Sequence, residues 1–332
     1  MESMACNPNQ KAQHTPVLIN TIVNNIQPQG TWIDGTFGAG GYSRALLESG
    51  AVKVFGIDKD PNVIKLSQDF SEEFSGRFSF FLGKFSKVEE FVDKAIVDGV
   101  IFDLGVSSMQ LDQAKRGFSF RHDGPLDMRM GEGGLSAADI VNSFEEEEIA
   151  DILFQYGEEK SSRLIAKKIV SARPITSTLS LSTIIHGCFN NRTDTKTHPA
   201  TKSFQALRIA VNDELAELVR GLEAAERILK PGGELVVVTF HSLEDRIVKK
   251  FLRSRSIGKG NANRHSPTSE NVSPSFILKS SKPYLVKDNE RQSNPRSRSA
   301  KLRIAIRSDA DPFSPQRKKL GLPKLAMKSL TL

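Results

Sequence analysis

Two stretches limit what this chain can become: TWIDGTFGAGGY at residues 31–42 and VKVFGIDKDP at residues 52–61. The first predicts a buried strand over Thr31, Trp32 and Ile33 that ends in an acid, opens into Gly35, Gly38, Gly40 and Gly41, and gives way to a helix near Tyr42. Glycines at a strand-to-helix turn allow positive φ and let a ligand approach bare amides, because no Cβ intervenes. The second stretch is an apolar strand ending in Asp58, seventeen residues after Gly41, where an acid can accept hydrogen bonds from both hydroxyls of a ribose. The glycines alone would also suit an ordinary tight loop; together with Asp58 they point to a nucleoside cofactor.

Dehydrogenases share this geometry, so the cofactor has to be read from later strands. GVIFDLGVSSMQ at residues 99–110 is a third apolar strand closed by an acid, Asp103, and LKPGGELVVVTFHS at residues 229–242 is a helix end, a Pro-Gly-Gly turn and another strand. A helix, Pro-Gly-Gly and strand late in the sheet are typical of methyltransferases that use S-adenosylmethionine.

Further segments are HTPVL at 14–18, DGTFGAGGYSR at 34–44, DLGVSS at 103–108, RGFSF at 116–120, DGPLDMRM at 123–130, YGEE at 156–159, HPATKSFQALRIAVNDEL at 198–215, FHSLEDRIVK at 240–249 and NPRSRSAKLR at 294–303. With these the sequence resembles, from residue 14 to residue 303, the bacterial 16S ribosomal RNA cytosine-N4 methyltransferase family. The resemblance implies a class I methyltransferase acting on a cytidine amine in the decoding region of the small subunit. It also assigns a cofactor role to Asp103 and Gln110 together. Two positions depart from the family: Tyr42 where it usually shows His, and Met109 where it usually shows Pro. Tyrosine can still stack and donate a hydrogen bond, so altered cofactor packing is expected, with binding retained.

The fold expected is α/β, a Rossmann-like sheet, mostly parallel with an antiparallel edge strand and an inserted all-helical domain. Residues 1–111 and 200–307 would form the methyltransferase domain, 112–199 the helical substrate-recognition domain and 308–332 a basic tail. Within the insertion, the spelling Ser-Phe-Glu-Glu at 143–146 predicts a helix cap, and helical spacings recur at Ile149, Ile152 and Leu153, at Leu164, Ile165 and Ile169, and at Leu181, Ile184, Ile185 and Cys188. Residues 201–211 are expected to return to the main domain as a helix. Residues 253–294, poor in apolar side chains, predict one long mobile crossover, and 300–307 a half-exposed antiparallel strand at the sheet edge.

The net charge is +7, unevenly spread: residues 246–332 hold 21 Lys and Arg against 5 Asp and Glu, leaving the first 245 residues at −9. A basic C-terminal quarter suggests a polyanion partner, with a solubilising tail as the plainer reading. Cys6 and Cys188 are too few for a disulfide framework, no metal-ligand spacing occurs, and no signal or membrane-spanning run is present. The cytoplasm, 16S rRNA within the small subunit, no metal and no membrane are therefore expected, with a homodimer left open.

Asp103 is expected to orient the target amine or the donor's ammonium group. The Asp-Pro-Pro-aromatic spelling of other amine methyltransferases is absent here, so the methylated atom rests on the resemblance. Neither cysteine ends a strand, which argues against the covalent adduct that ring-carbon methylation needs. Ser107 and Ser108 are expected to donate to substrate, and His241 to act as a base or as a structural hydrogen-bonding group. Phe85 would lie against adenine or inside the core; Phe118 and Phe120 would stack an extruded base or pack the helical domain. Asp127 and Arg129 are expected in a closing loop, and His14 is expected either to touch the cofactor or to serve as a structural cap. The cofactor set is Gly38, Gly40, Gly41, Tyr42, Asp58, Phe85, Asp103 and Gln110. Methylation of another acceptor (DNA, protein or a small molecule) and a non-catalytic ribosome-assembly factor stand as alternatives.

Overall fold

The computed structural model describes residues 16–92, 96–189, 198–256, 273–313 and 317–323. Cys6 and His14 lie outside them. Five apolar runs form the parallel part of one sheet: β1 (Thr31–Asp34), β2 (Lys53–Asp58), β3 (Phe78–Leu82), β4 (Val97–Asp103) and β5 (Leu229–Thr239). Their spatial order is β3-β2-β1-β4-β5, with Ile33 opposite both Phe55 and Val100, and Ile101 opposite Val236. The central strands β1, β4 and β5 are buried on both faces, which is why they read as continuous apolar runs and not as alternation, while β3 at the sheet edge is half-exposed. The strand order reverses between β1 and β4, and crevices at such reversals bind ligands beyond the carboxyl ends of the strands.

The crossovers are α2 (Gly41–Glu48) and α3 (Ile64–Glu73), preceded by the short α1 (Ile19–Val23). One sheet face packs Ile33, Val100, Phe102, Leu235 and Val237 beneath α10 (Glu214–Ile228) and α11 (Ser242–Ser256). The other packs Trp32, Val54, Ile101, Val236 and Val238 with Ile22 of α1 and Leu46 of α2. Burying each such side chain contributes roughly 1.5–3 kcal/mol relative to leaving it in water.

Between β4 and β5 the chain forms α4 (Ser108–Asp112), α5 (Ala137–Ser143), α6 (Glu146–Gly157), α7 (Ser162–Ser171), α8 (Thr178–Gly187) and α9 (Thr201–Asn212). Ile140, Ile149, Ile152, Leu153, Ile165, Ile169, Leu181 and Ile185 make a separate core. Helix α9, expected in the main domain, joins that core through Phe204, Leu207 and Ala210 while Ile209 enters the sheet's core, so it is shared by both. The cap also differs from expectation. Ser143 ends α5, and α6 is capped by Glu145 paired with Glu148, because Phe144 is extended and shifts the helix start by two residues.

The C-terminal region departs most. Of the crossover expected over 253–294, residues 257–272 lie outside the described residues, while 253–256 end α11 and β6 (Phe276–Leu278), β7 (Tyr284–Leu285) and α12 (Asp288–Ser293) occupy the stretch from 276 to 293. Strand β8 (Lys301–Arg307) is antiparallel to β5 as expected, but β6 and β7 pair with its other side, so it lies inside the sheet and is largely buried. Among the described residues no helix is long and apolar enough to cross a membrane.

Candidate functional site

The turn after β1 is held from beneath. Asp34 is fully buried and accepts from Ser43 Oγ (2.8 Å) and the Ser43 and Thr36 amides (3.2 Å each). Burial, opposed by these donors, still raises its carboxyl to about 6. Gly38 and Gly40 have φ of +52° and +77°, conformations that a side chain disfavours. Asp58, at the end of β2, accepts from Gly38 N (2.8 Å) and Asp60 N (2.9 Å), which joins the two strand ends; burial pushes its carboxyl up.

Asp103 ends β4, its amide donating to Thr36 Oγ1 at 2.6 Å. The residue is partly exposed overall, yet its Oδ1 is sealed from solvent and has no hydrogen-bond partner. Burial and the charge of Asp34, with a lesser push from Glu244 and against the nearby Tyr42 hydroxyl, raise this carboxyl from its ordinary 3.8 to about 8. Tyr42 stands beside it, buried, with its hydroxyl donating to Val17 O at 2.7 Å. Its own ionisation is pushed well above 10, first by burial and then by Asp103.

These groups meet in one cavity of about 860 Å³, lined by Gly38, Gly41, Tyr42, Asp58, Phe85, Asp103, Ser107 and Gln110 of the expected set. Gly40 does not line it: its amide is spent on Phe37 O (2.7 Å), and a Cβ there would meet the Phe37 and Phe70 rings at 3.0–3.1 Å, so it shapes the turn. Phe85 lines the cavity and also packs: its ring centroid lies 4.7 Å from that of Phe102, and it rests against Gly221, where a Cβ would come within 2.2 Å. Ser107 caps α4, Oγ accepting from Gln110 N (3.2 Å) while Ser107 N donates to Gln110 Oε1 (3.0 Å). Gln110 Nε2 then reaches Asp60 (2.8 Å), whose carboxyl is held low, against burial, by Gln110, Asn62 and Arg116.

His241 is also absent from the lining. Its side chain is 8% exposed and its Nε2 lies 3.0 Å from Glu244 Oε1, so it is Glu244 that reaches the cavity wall, with its other oxygen on the Phe240 and His241 amides. Glu214, His241 and Glu244 bring one ligand atom each within 4.8 Å of one another, but Arg208 is bidentate on Glu214 (2.8 and 2.9 Å) and already supplies positive charge there.

Phe118 is buried in the helical core, and Phe120 stacks on His198 (4.4 Å) and meets Phe204 edge-on (5.0 Å), so both serve the packing alternative. Asp127 and Arg129 pair at 2.6 Å. Arg116 fastens their loop to the site by bonding Asp60 and the carbonyls of Arg129 and Met130. Cys188 is a half-buried free thiol closing α8, its ionisation raised by burial.

Sequence reasoning missed Pro16, Lys59, Lys84, Arg208, Glu214, Glu217 and Arg296 in the lining. Lys59 directly follows Asp58, and burial lowers its ammonium pKa; its place next to a ribose-type acid was the available signal. Lys84 directly precedes Phe85 and Pro16 lies two residues after His14, so both carried the same kind of signal, whereas Arg208, Glu214, Glu217 and Arg296 arrive from distant parts of the chain.

The MraW methylase family model matches residues 11–308. The chain is 52% identical to Ribosomal RNA small subunit methyltransferase H of Roseobacter denitrificans, over 97% of this chain and 98% of the relative. It is 51% identical to the protein of that name in Cereibacter sphaeroides (96% and 97%) and 51% identical to the one in a Jannaschia species (95% and 97%).

Proposed function

The chain belongs to the MraW methylase family, and from that premise we propose that it is an S-adenosylmethionine-dependent methyltransferase acting on the exocyclic N4 of a cytidine in the decoding region of small-subunit (16S) ribosomal RNA. The relatives' names supply the small-subunit RNA, and the motif resemblance supplies the N4 atom. The observation that carries the reading is that Gly38, Asp58 and Asp103, from three strand ends, line one cavity in which a sealed carboxylate oxygen lacks a partner.

The residues present fit the cofactor. Asp58, fixed by two amides, keeps lone pairs for ribose hydroxyls, and Phe85 offers an apolar wall to a purine. Asp103 Oδ1 awaits a cationic donor such as an amino-acid ammonium, whose charge would favour ionisation of a carboxyl that burial has raised. The bound cofactor supplies a methyl carbon made electrophilic by its sulfonium. What the protein adds is alignment and exclusion of water. Ser107, on the rigid start of α4, can turn its O–H toward substrate while its oxygen keeps Gln110 N. His241 acts through Glu244, as a positioning residue and not as a base in contact with substrate. The helical unit, with the loop that Arg116 holds, is the substrate-recognition part of this reading, and the ribosomal substrate puts the reaction in the cytoplasm.

Incubation with methyl-labelled donor and unmethylated small subunits should mark one cytidine at N4, read by nucleoside mass spectrometry. Label on a ring carbon or on protein refutes the assignment. A purely RNA-binding assembly factor would show no cofactor binding by calorimetry.

A further inference from the structure

The cavity's mouth is crossed by a surface ion pair. Arg296 Nη2 lies 2.6 Å from Asp112 Oδ1, joining the segment after α12 to the end of α4, and both residues line the cavity. The two side chains are 42% and 61% exposed, so the bond is held in water, where such pairs contribute little and exchange partners readily. The backbone under Arg296 is fixed: its amide donates to Asn294 Oδ1 (3.2 Å), and the neighbouring Ser297 is fully buried with its hydroxyl on Asn294 O (2.7 Å). A guanidinium on a rigid mount at the edge of a cavity of about 860 Å³ is suited to bidentate contact with a phosphate, which an exposed carboxylate imitates.

We propose that Arg296 is a phosphate-binding residue for the RNA substrate: on docking, its guanidinium leaves Asp112 for a backbone phosphate beside the target nucleotide. Asp112 is then a competitor that keeps Arg296 oriented in the free protein. This rests on the RNA reading above. Charge favours this occupant, since Arg255, Arg303 and Arg317 of the same basic quarter are tied to Glu226, Asp245 and Glu223, whereas Arg296 faces the opening.

The test compares Arg296→Ala and Asp112→Asn in the full chain, with unmethylated small subunits and labelled donor. Arg296→Ala is expected to raise KM for subunits about tenfold and to make its dependence on log salt shallower by about 0.7 to 1. Asp112→Asn is expected to lower KM about twofold. Two variants that raise KM alike with an unchanged salt slope would show a structural clasp and overturn the proposal. So would an Arg296→Ala protein whose cofactor affinity falls in step with KM, because the pair would then be a wall of the cofactor site. If the unaltered protein transfers no methyl to subunits, the RNA reading falls and this proposal with it; if it does and the variants match it, only this proposal falls.

Discussion

Replacing Asp103 with asparagine probes the strand-end chemistry through stability alone. The folded chain holds this carboxyl's proton up to about pH 8, whereas an unperturbed aspartate releases it near 3.8. Between those values the folded state binds more protons than the unfolded one, so linkage makes stability fall as pH rises through the window. One unit of pKa corresponds to about 1.4 kcal/mol, so between about pH 6 and about pH 9 this carboxyl removes at most about 3 kcal/mol, and about 2 after local relaxation. Asp34, raised to about 6, adds its own loss at the lower end, but it is present in both proteins and cancels in the comparison. Urea unfolding of the ligand-free proteins at the two pH values should show the asparagine variant losing about 2–3 kcal/mol less than the parent. Equal losses would refute the reasoning, since Oδ1 would then not be the desolvated, partnerless atom that the strand end presents.

Four further substitutions, two of them combined, separate roles that the sequence left joined. Asp58→Ala should weaken cofactor binding at least tenfold and cost about 1–3 kcal/mol by orphaning two amides; calorimetry and circular dichroism check it, and a chain that no longer folds would mark Asp58 as structural. Gly221→Ala puts a Cβ 2.2 Å from the Phe85 ring and should cost about 1–3 kcal/mol by overpacking, with cofactor affinity falling as the ring shifts. Adding Phe85→Leu should restore part of the stability, and no restoration would show that the strain lies elsewhere. Phe118→Ala should destabilise by about 3–5 kcal/mol in thermal or urea unfolding; normal stability with a raised KM for RNA would instead make Phe118 a base-stacking residue.

The strand ends were legible because their signal is local: an apolar run, an acid and a turn residue are neighbours in sequence, as at Ile33, Asp34 and Gly35 or at Ile57 and Asp58. Strands β6 and β7 have three and two residues and exist only because β8 offers an edge to pair with, so no local pattern announces them. Their absence from the reading put β8 at the border of the sheet. Helix α9 carries apolar side chains toward two cores, which periodicity cannot assign to one domain. At α6, two overlapping acid-rich cap spellings compete, and the extended Phe144 between them decides the outcome.

Charge misleads for a related physical reason. The C-terminal surplus reads as one basic surface, yet Arg255 and Glu226 form a buried pair at 2.7 Å, Lys301 and Arg303 both hold Asp245, and Arg317 holds Glu223. A quarter of the chain that is basic in sequence thus neutralises part of the acidic body in space, and those cations cannot also serve a phosphate without leaving buried carboxylates behind. Salt-sensitive contact with RNA then falls to cations whose partners are exposed and weakly held. Arg296 is such a cation: its partner lies 184 positions away in sequence and open to water. The sequence could place the cavity's floor, where each group is fixed by its own strand. It could not place the mouth, where the groups meet only once α4 and the segment after α12 have folded against the same opening.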